Sequence, residues 1–131
     1  VIPIEGFISQ KMENKFSIID NLHKGIDIVA KQGTPIKASA SGLVIFSGWT
    51  YEMGNQIIIY HGDGYFTHYG HNQINLKSQL DIVKRGEVIG LVGDTGISSG
   101  PHLHFEIWKD KISIDPLIYF PEFKKTDLTS K

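Results

Sequence analysis

His102, His104 and Glu106 stand two residues apart in the run Gly100-Pro101-His102-Leu103-His104-Phe105-Glu106-Ile107-Trp108, where polar and apolar side chains alternate without a break. On a strand, successive side chains point to opposite faces, so these three share one face while Leu103, Phe105 and Ile107 share the other. The apolar face belongs to a core, and the histidine face is a candidate site. Two imidazoles about 7 Å apart, one strand repeat of two residues, suit one metal ligand and one neighbour acting on whatever the metal holds. Neutral imidazole is the commonest metal ligand and the usual proton carrier near neutral pH. Taken alone, the run equally fits two polar residues on a solvated sheet face, and the rest of the chain must decide.

Three further places carry the same kind of chemistry. His23-Lys24-Gly25-Ile26-Asp27 reads as a turn through Gly25 into a strand, which would fold His23 back towards Asp27. Tyr65-Phe66-Thr67-His68-Tyr69-Gly70-His71 holds two histidines three apart. On a regular strand they face opposite sides, so only one easily reaches the site. A catalytic zinc takes three protein ligands and leaves a fourth position for water, whose pKa it lowers to near 7. His23, Asp27 and His104 can supply the three, and His102 with one histidine of the 65–71 strand can act as base and oxyanion stabiliser. Gly96-Ile97-Ser98-Ser99-Gly100 fits the G-x-S-x-G pattern, but Pro101 and a strand follow where a nucleophile elbow needs a helix. No H-E-x-x-H helix and no phosphate-binding glycine loop with its lysine occurs.

The elements that must position these groups are strands. Gly6–Ser9, Ile28–Ala30, Thr34–Ala38, Gly42–Trp49, Gln56–Tyr60 and Tyr65–His71 are rich in β-branched and aromatic residues and bounded by Gly, Ser and Asn. His61-Gly62-Asp63-Gly64 is hairpin-turn chemistry, which makes His61 structural. Met12–Ile19 reads as an irregular connection, and Asn72–Leu80 as a polar loop. Lys84–Gly93 is a further short strand between glycines, and its Gly86–Ile89 G-x-V-I pattern echoes Gly42–Ile45 as a weak repeat. Asp94–Gly100 is a small-residue loop feeding the histidine strand, Asp110-Lys111 a hairpin tip, and Asp115–Phe120 a helical turn. From Lys124 the tail is polar and expected to be mobile.

Composition narrows the function. The chain has 131 residues, 40% of them hydrophobic, which suits one domain with one core. A net charge of -1 leaves no basic footprint for nucleic acid, and no apolar run approaches membrane-spanning length. Without cysteine, thiolate zinc sites, thiol nucleophiles and disulfides are out, so a metal here is held by His and carboxylates. A start at Val1 rather than Met suggests a processed protein or a domain cut from a longer one.

His23-x3-Asp27, Tyr69-Gly70-His71 and Gly100-Pro101-His102-Leu103-His104-Phe105-Glu106 closely resemble the three motifs of the lysostaphin-like zinc metallopeptidase family. Gly54-Asn55, Lys84-Arg85-Gly86 with Val88-Ile89-Gly90, and Thr95-Gly96 add to the likeness, which runs from about Gly6 to Phe120. Asn72 departs from the family's usual apolar residue, and Ser9–Met12 lacks its Phe-Gly-x-Arg. The resemblance implies that His23, Asp27 and His104 bind Zn²⁺ and that His71 and His102 are the catalytic pair. It implies a mostly antiparallel β fold, duplicated-hybrid-motif-like, with a long groove, few short helical turns, and zinc at the groove's base. Residues 1–123 would form the peptidase domain and 124–131 the polar tail. The implied activity is zinc-dependent endopeptidase hydrolysis of peptidoglycan peptides, either glycine bridges or D-amino-acid cross-links, with cross-linked stem peptides favoured. The implied place is the cell envelope (periplasm) or the exterior, with regulatory or targeting domains outside this segment compatible with it.

Two readings compete with the peptidase. A catalytically silent relative would serve as a cell-wall scaffold or amidase activator, yet this chain retains all five residues. A phosphocarrier of similar β architecture would use two facing histidines, but does not account for Asp27 or a third histidine. Glu106 stays open, either orienting an imidazole beside the metal or forming a surface ion pair.

Overall fold

The computed structural model describes residues 1–12 and 24–123 of the chain. His23, nearly all of the Met12–Ile19 connection and the tail from Lys124 lie outside the described residues.

Among the described residues, ten strands pair antiparallel into one sheet. In chain order they are β1 (Phe7–Gln10), β2 (Ile26–Val29), β3 (Pro35–Lys37), β4 (Gly42–Thr50), β5 (Gly54–Gly62), β6 (Tyr65–Asn75), β7 (Ile82–Val83), β8 (Val88–Val92), β9 (His102–Lys109) and β10 (Ile112–Ile114). The path through the sheet is β1-β2-β9-β6-β5-β4-β7, with β10 extending along β9 and β8 bridging β6 to β3. The mostly antiparallel β fold expected from the motifs is the fold observed. Beyond the strands, one 3₁₀ turn spans Pro116–Ile118, its first turn capped by the Asp115 carboxylate accepting from the Leu117 N–H.

Alternation accounts for the central strand. Leu103 and Phe105 of β9 are fully buried, in the same core as Ile26 and Ile28 of β2, Ile57 and Ile59 of β5 and Tyr69 of β6. The Tyr69 ring stacks at 5.3 Å on Phe105, and its hydroxyl accepts from the Ser39 N–H. Asp63-Gly64 joins β5 to β6 with positive φ at both residues, 51° and 81°, the two-residue turn its sequence specifies. His61 is structural as expected, its ring lying between the Ser41 carbonyl and the Thr67 hydroxyl.

Two expectations change. The 65–71 strand does not end at His71 but runs on to Asn75, so Asn72 begins no loop. Asn72 is buried; its amide nitrogen donates to the Tyr69 carbonyl and the Asn75 side chain, while its Oδ1 is buried without a hydrogen-bond partner among the described residues. The second change concerns His68 and His71. They do not face opposite sides, because His71 adopts φ +66° beside an irregularity in the β6 pairing with β5 and β8. A left-handed residue inside a strand breaks the alternation and re-aims its side chain.

Candidate metal and catalytic site

Register places the polar groups. Asp27 of β2 and Gly70 of β6 both lie opposite His104 of β9, one on each side, and His68 lies opposite Glu106. Residues directly opposed across a ladder point to the same face, so Asp27, His68, His104 and Glu106 collect there. Gly70 contributes no side chain, and a Cβ at that position would lie 3.0 Å from the Met53 sulfur. The Met53 side chain fills that position, and the next residue, His71, brings its ring to 6.2 Å from His104 and 4.8 Å from His102.

The His104 imidazole is held at both nitrogens. Nδ1 lies 2.8 Å from Asp27 Oδ1 and Nε2 lies 2.6 Å from Glu106 Oε2. Glu106 is itself oriented by the Trp108 indole N–H, which donates to its other oxygen at 2.6 Å, and His68 Nδ1 is 3.6 Å from that same oxygen. Glu106 is only 6% exposed, so of the two roles left open for it the surface ion pair is excluded, and it orients His104. Burial by itself pushes the His104 pKa down, but the hydrogen bonds and charges of Asp27 and Glu106 outweigh it and raise it to about 9. Two carboxylates flanking one imidazole make a place for a cation.

That arrangement suits a metal. Without a metal both ring nitrogens carry hydrogens, one towards each carboxylate; a metal displacing the Nδ1 proton would find that lone pair beside the Asp27 carboxylate, with Nε2–H still donated to Glu106. Tetrahedral zinc with bonds of about 2.0–2.1 Å sets donors about 3.3 Å apart, within about 0.5 Å of the separation seen. The imidazole and carboxylate ligand with an outer carboxylate on the far nitrogen is a recurrent zinc arrangement. Among the described residues no group of three His, Cys, Asp or Glu is arranged to hold a metal ion. Asp27 and His104 make two, and the third expected ligand, His23, lies outside the described residues.

The other two imidazoles are tethered by main chain. His71 Nδ1 lies 2.7 Å from the Thr95 carbonyl, and His102 Nδ1 lies 2.8 Å from the Gly100 carbonyl. A carbonyl only accepts, so each Nδ1 carries the hydrogen and each Nε2 is left as the working atom. His102 Nε2 lies 3.7 Å from Asp27 Oδ1. Burial is the main influence on His71 and lowers its pKa, with the Thr95 hydrogen bond opposing, which favours the neutral ring.

These groups line a cleft of about 670 Å³ whose other walls are Gln10, Tyr51, Glu52, Met53, Ile97, Ser98 and Ser99. A second cleft of about 500 Å³ shares Gln10, Asp27, Ser99 and His102 with it, so the depression continues past Asp27. Of the five site residues expected from the sequence, four meet here, and the fifth lies outside the described residues. Sequence reasoning missed Thr95 and Gly100, which act through carbonyls, and Trp108 and His68, which act through Glu106. Trp108 shares the parity of His104 and Glu106 and was legible from alternation; the carbonyl roles left no mark in residue type.

One prediction concerns Glu106. In Glu106→Gln the amide nitrogen cannot accept, so either the His104 or the Trp108 hydrogen bond is lost. Zinc affinity, read by competition with a chromophoric chelator, is expected to fall about 10- to 100-fold, the usual effect of removing an outer partner of a ligand histidine. Unchanged affinity would show that the carboxylate does not tune the ligand.

Comparison with known proteins places the chain in a family. The model of peptidase family M23 matches residues 21–116. The chain is 42% identical over 109 residues to the DD-carboxypeptidase/endopeptidase Mpg of Neisseria meningitidis, covering 81% of this chain and 25% of that protein. It is 40% identical over 121 residues to the murein hydrolase activator NlpD of Escherichia coli, covering 92% of this chain and 31% of that one. This chain thus spans only about a quarter to a third of those relatives' length. Among solved structures, the catalytic domain of lysostaphin from Staphylococcus simulans superposes with a TM-score of 0.77 at 31% identity, covering 87% of this chain and 91% of that one. On the match across 21–116, the Mpg identity and the shared fold, the chain belongs to peptidase family M23, the lysostaphin-like peptidases that its three motifs resemble.

Proposed function

We propose that this chain is a zinc-dependent endopeptidase that hydrolyses peptide bonds of bacterial peptidoglycan in the cell envelope or outside the cell. The observation that carries the reading is the convergence of two tethered imidazoles, His71 and His102, on the cleft where Asp27 faces His104 Nδ1. A binding surface alone has no use for two imidazoles whose Nδ1 atoms are both tied to main-chain carbonyls beside a cation site.

A peptidase of similar fold from Vibrio cholerae is zinc-containing, and here His104 Nδ1, Asp27 and His23 would hold the ion. When bound, zinc supplies a Lewis acid that polarises a peptide carbonyl and makes water a nucleophile near neutral pH. The chain's own residues do the rest. One of His71 Nε2 and His102 Nε2 takes the proton from the attacking water; the other, protonated, donates to the oxygen that gains charge. The proton is then passed to the leaving amine. Asp27 Oδ1 lies 3.7 Å from His102 Nε2, so that ring reaches the proposed metal position. The exposed faces of Tyr51 and Ile97 on the cleft wall offer apolar contact to a peptide whose backbone runs along the two joined clefts.

NlpD's name describes an activator, and its identity across 92% of this chain makes a non-hydrolytic activator the second reading. The two are separated by digesting purified peptidoglycan with the zinc-loaded chain and identifying new amino and carboxyl termini by mass spectrometry. New termini that disappear on chelation support the peptidase. Termini that appear only when a second hydrolase is added support the activator. Their positions also identify the bond, glycine bridge or D-amino-acid cross-link.

A further inference from the structure

The two catalytic imidazoles are fixed from one loop. Between β8 and β9, residues 93–100 supply the Thr95 carbonyl to His71 Nδ1–H and the Gly100 carbonyl to His102 Nδ1–H, at 2.7 and 2.8 Å. A main-chain carbonyl can hold a tautomer only if the loop is itself held, and at Thr95 it is. The Thr95 hydroxyl donates to the Asn72 carbonyl at 2.7 Å and accepts from the Asn55 N–H at 3.1 Å. One side chain thus ties the loop to the start of β5 and to the residue after His71. Close approach of backbones makes the tie tight: a Cβ on Gly54 would lie 2.4 Å from the Thr95 carbonyl carbon, and one on Gly96 2.3 Å from the Gly54 nitrogen. The Ile97 N–H donates to the Glu52 carbonyl, and the His71 N–H to the Met53 carbonyl, so the same turn braces both partners.

His71 needs this bracing. It is a non-glycine residue at φ +66°, a conformation costly enough to persist only where surroundings over-determine it. Its side chain would otherwise be free to rotate or to carry its hydrogen on Nε2, which would put a donor where the reaction needs an acceptor.

We propose that Thr95 is a positioning residue: its hydroxyl anchors the 93–100 loop so that the Thr95 carbonyl holds His71 in the Nδ1–H tautomer, leaving the Nε2 lone pair in the cleft. The inference rests on the peptidase reading for its catalytic consequence, but the tautomer is a property of the chain whether or not it cleaves anything.

The experiment is nitrogen-15 NMR of the histidine-labelled full chain, metal-free and zinc-loaded, at a pH above imidazole titration, together with steady-state kinetics on a soluble peptidoglycan fragment. In the wild type, His71 shows a protonated Nδ1 and an unprotonated Nε2. Thr95→Val, nearly the same shape without the hydroxyl, gives a mixture of His71 tautomers while His102, held by Gly100, keeps its own. In the same variant kcat falls about 10- to 100-fold, the scale expected for a misplaced catalytic group, and KM stays within about 2-fold. Thr95→Ser restores both readouts. An Nε2–H tautomer at wild-type His71 overturns the proposal, as does a Thr95→Val protein with wild-type tautomer and kcat. Should Thr95→Val not fold, the wild-type tautomer and the Thr95→Ser comparison decide: Nδ1–H with wild-type kcat in the serine variant supports the anchor, and a serine variant that loses either overturns it. A chain without peptidase activity whose His71 is Nδ1–H would sink the proposed function and leave the tautomer assignment standing.

Discussion

On the proposed zinc peptidase reading, Asp27→Asn and His104→Ala are expected to lose bound zinc and peptidoglycan hydrolysis together, and His23→Ala to do the same. A three-ligand site cannot spare one ligand, because the remaining two no longer close a tetrahedral shell around the ion. Activity falls by at least about 10³-fold, corresponding to the several kcal/mol that a Lewis acid contributes to the transition state. The variants differ in what they leave behind. Asp27→Asn keeps the shape of the side chain and so isolates the loss of a charged ligand. His104→Ala strands Glu106, a carboxylate 6% exposed whose remaining hydrogen-bond donor is Trp108, and a buried charge without its partner costs about 3–5 kcal/mol. For that reason the His104 variant is compared at a temperature where circular dichroism shows it folded. Zinc is counted per chain by atomic absorption after gel filtration. Full occupancy in any one of the three removes that residue from the ligand set, and for His23 this measurement is the direct test of a role that rests on the motif resemblance.

How legible the site was depends on what kind of fact each part of it is. The apolar and polar faces of β9 follow from a period of two, so Leu103 and Phe105 in the core and His104 with Glu106 on the other side were readable from the chain alone. Asp27 opposite His104 is a matter of register between strands 77 residues apart; the motif resemblance supplied it, and alternation alone could not. His71 was placed by its Tyr-x-His context, while period-two reasoning sent it and His68 to opposite faces. The failure is local and physical: one left-handed residue changes the direction in which its own side chain and the next ones point, and nothing in the identity of His71 announces φ +66°. Thr95 and Gly100 are less visible still, since a carbonyl has no side-chain signature and becomes a functional group only when the loop brings it to an imidazole.

His102→Ala and His71→Ala are expected to keep one zinc per chain and a folded sheet while hydrolysis falls at least about 10²-fold, the loss typical of a missing general acid–base group or oxyanion donor. The geometry explains why these two fail differently from His104. Their Nδ1 atoms are committed to the Gly100 and Thr95 carbonyls, and their rings pack at 4.8 Å from each other. Removing either ring deletes a proton carrier and leaves the Nδ1–Oδ1 pair intact. His102→Ala also frees the Gly100 carbonyl, which the Ser98 hydroxyl already shares as a donor at 2.8 Å, so the loop retains a partner there. Because the two imidazoles divide one proton-transfer task, the double variant should be little worse than either single one. The measurement is zinc content and kcat/KM for the two single variants and the double. Loss of metal in His102→Ala with retention in His104→Ala would reverse the assignment of the ligand within the strand. Zinc and full activity in both would move the reaction away from β9.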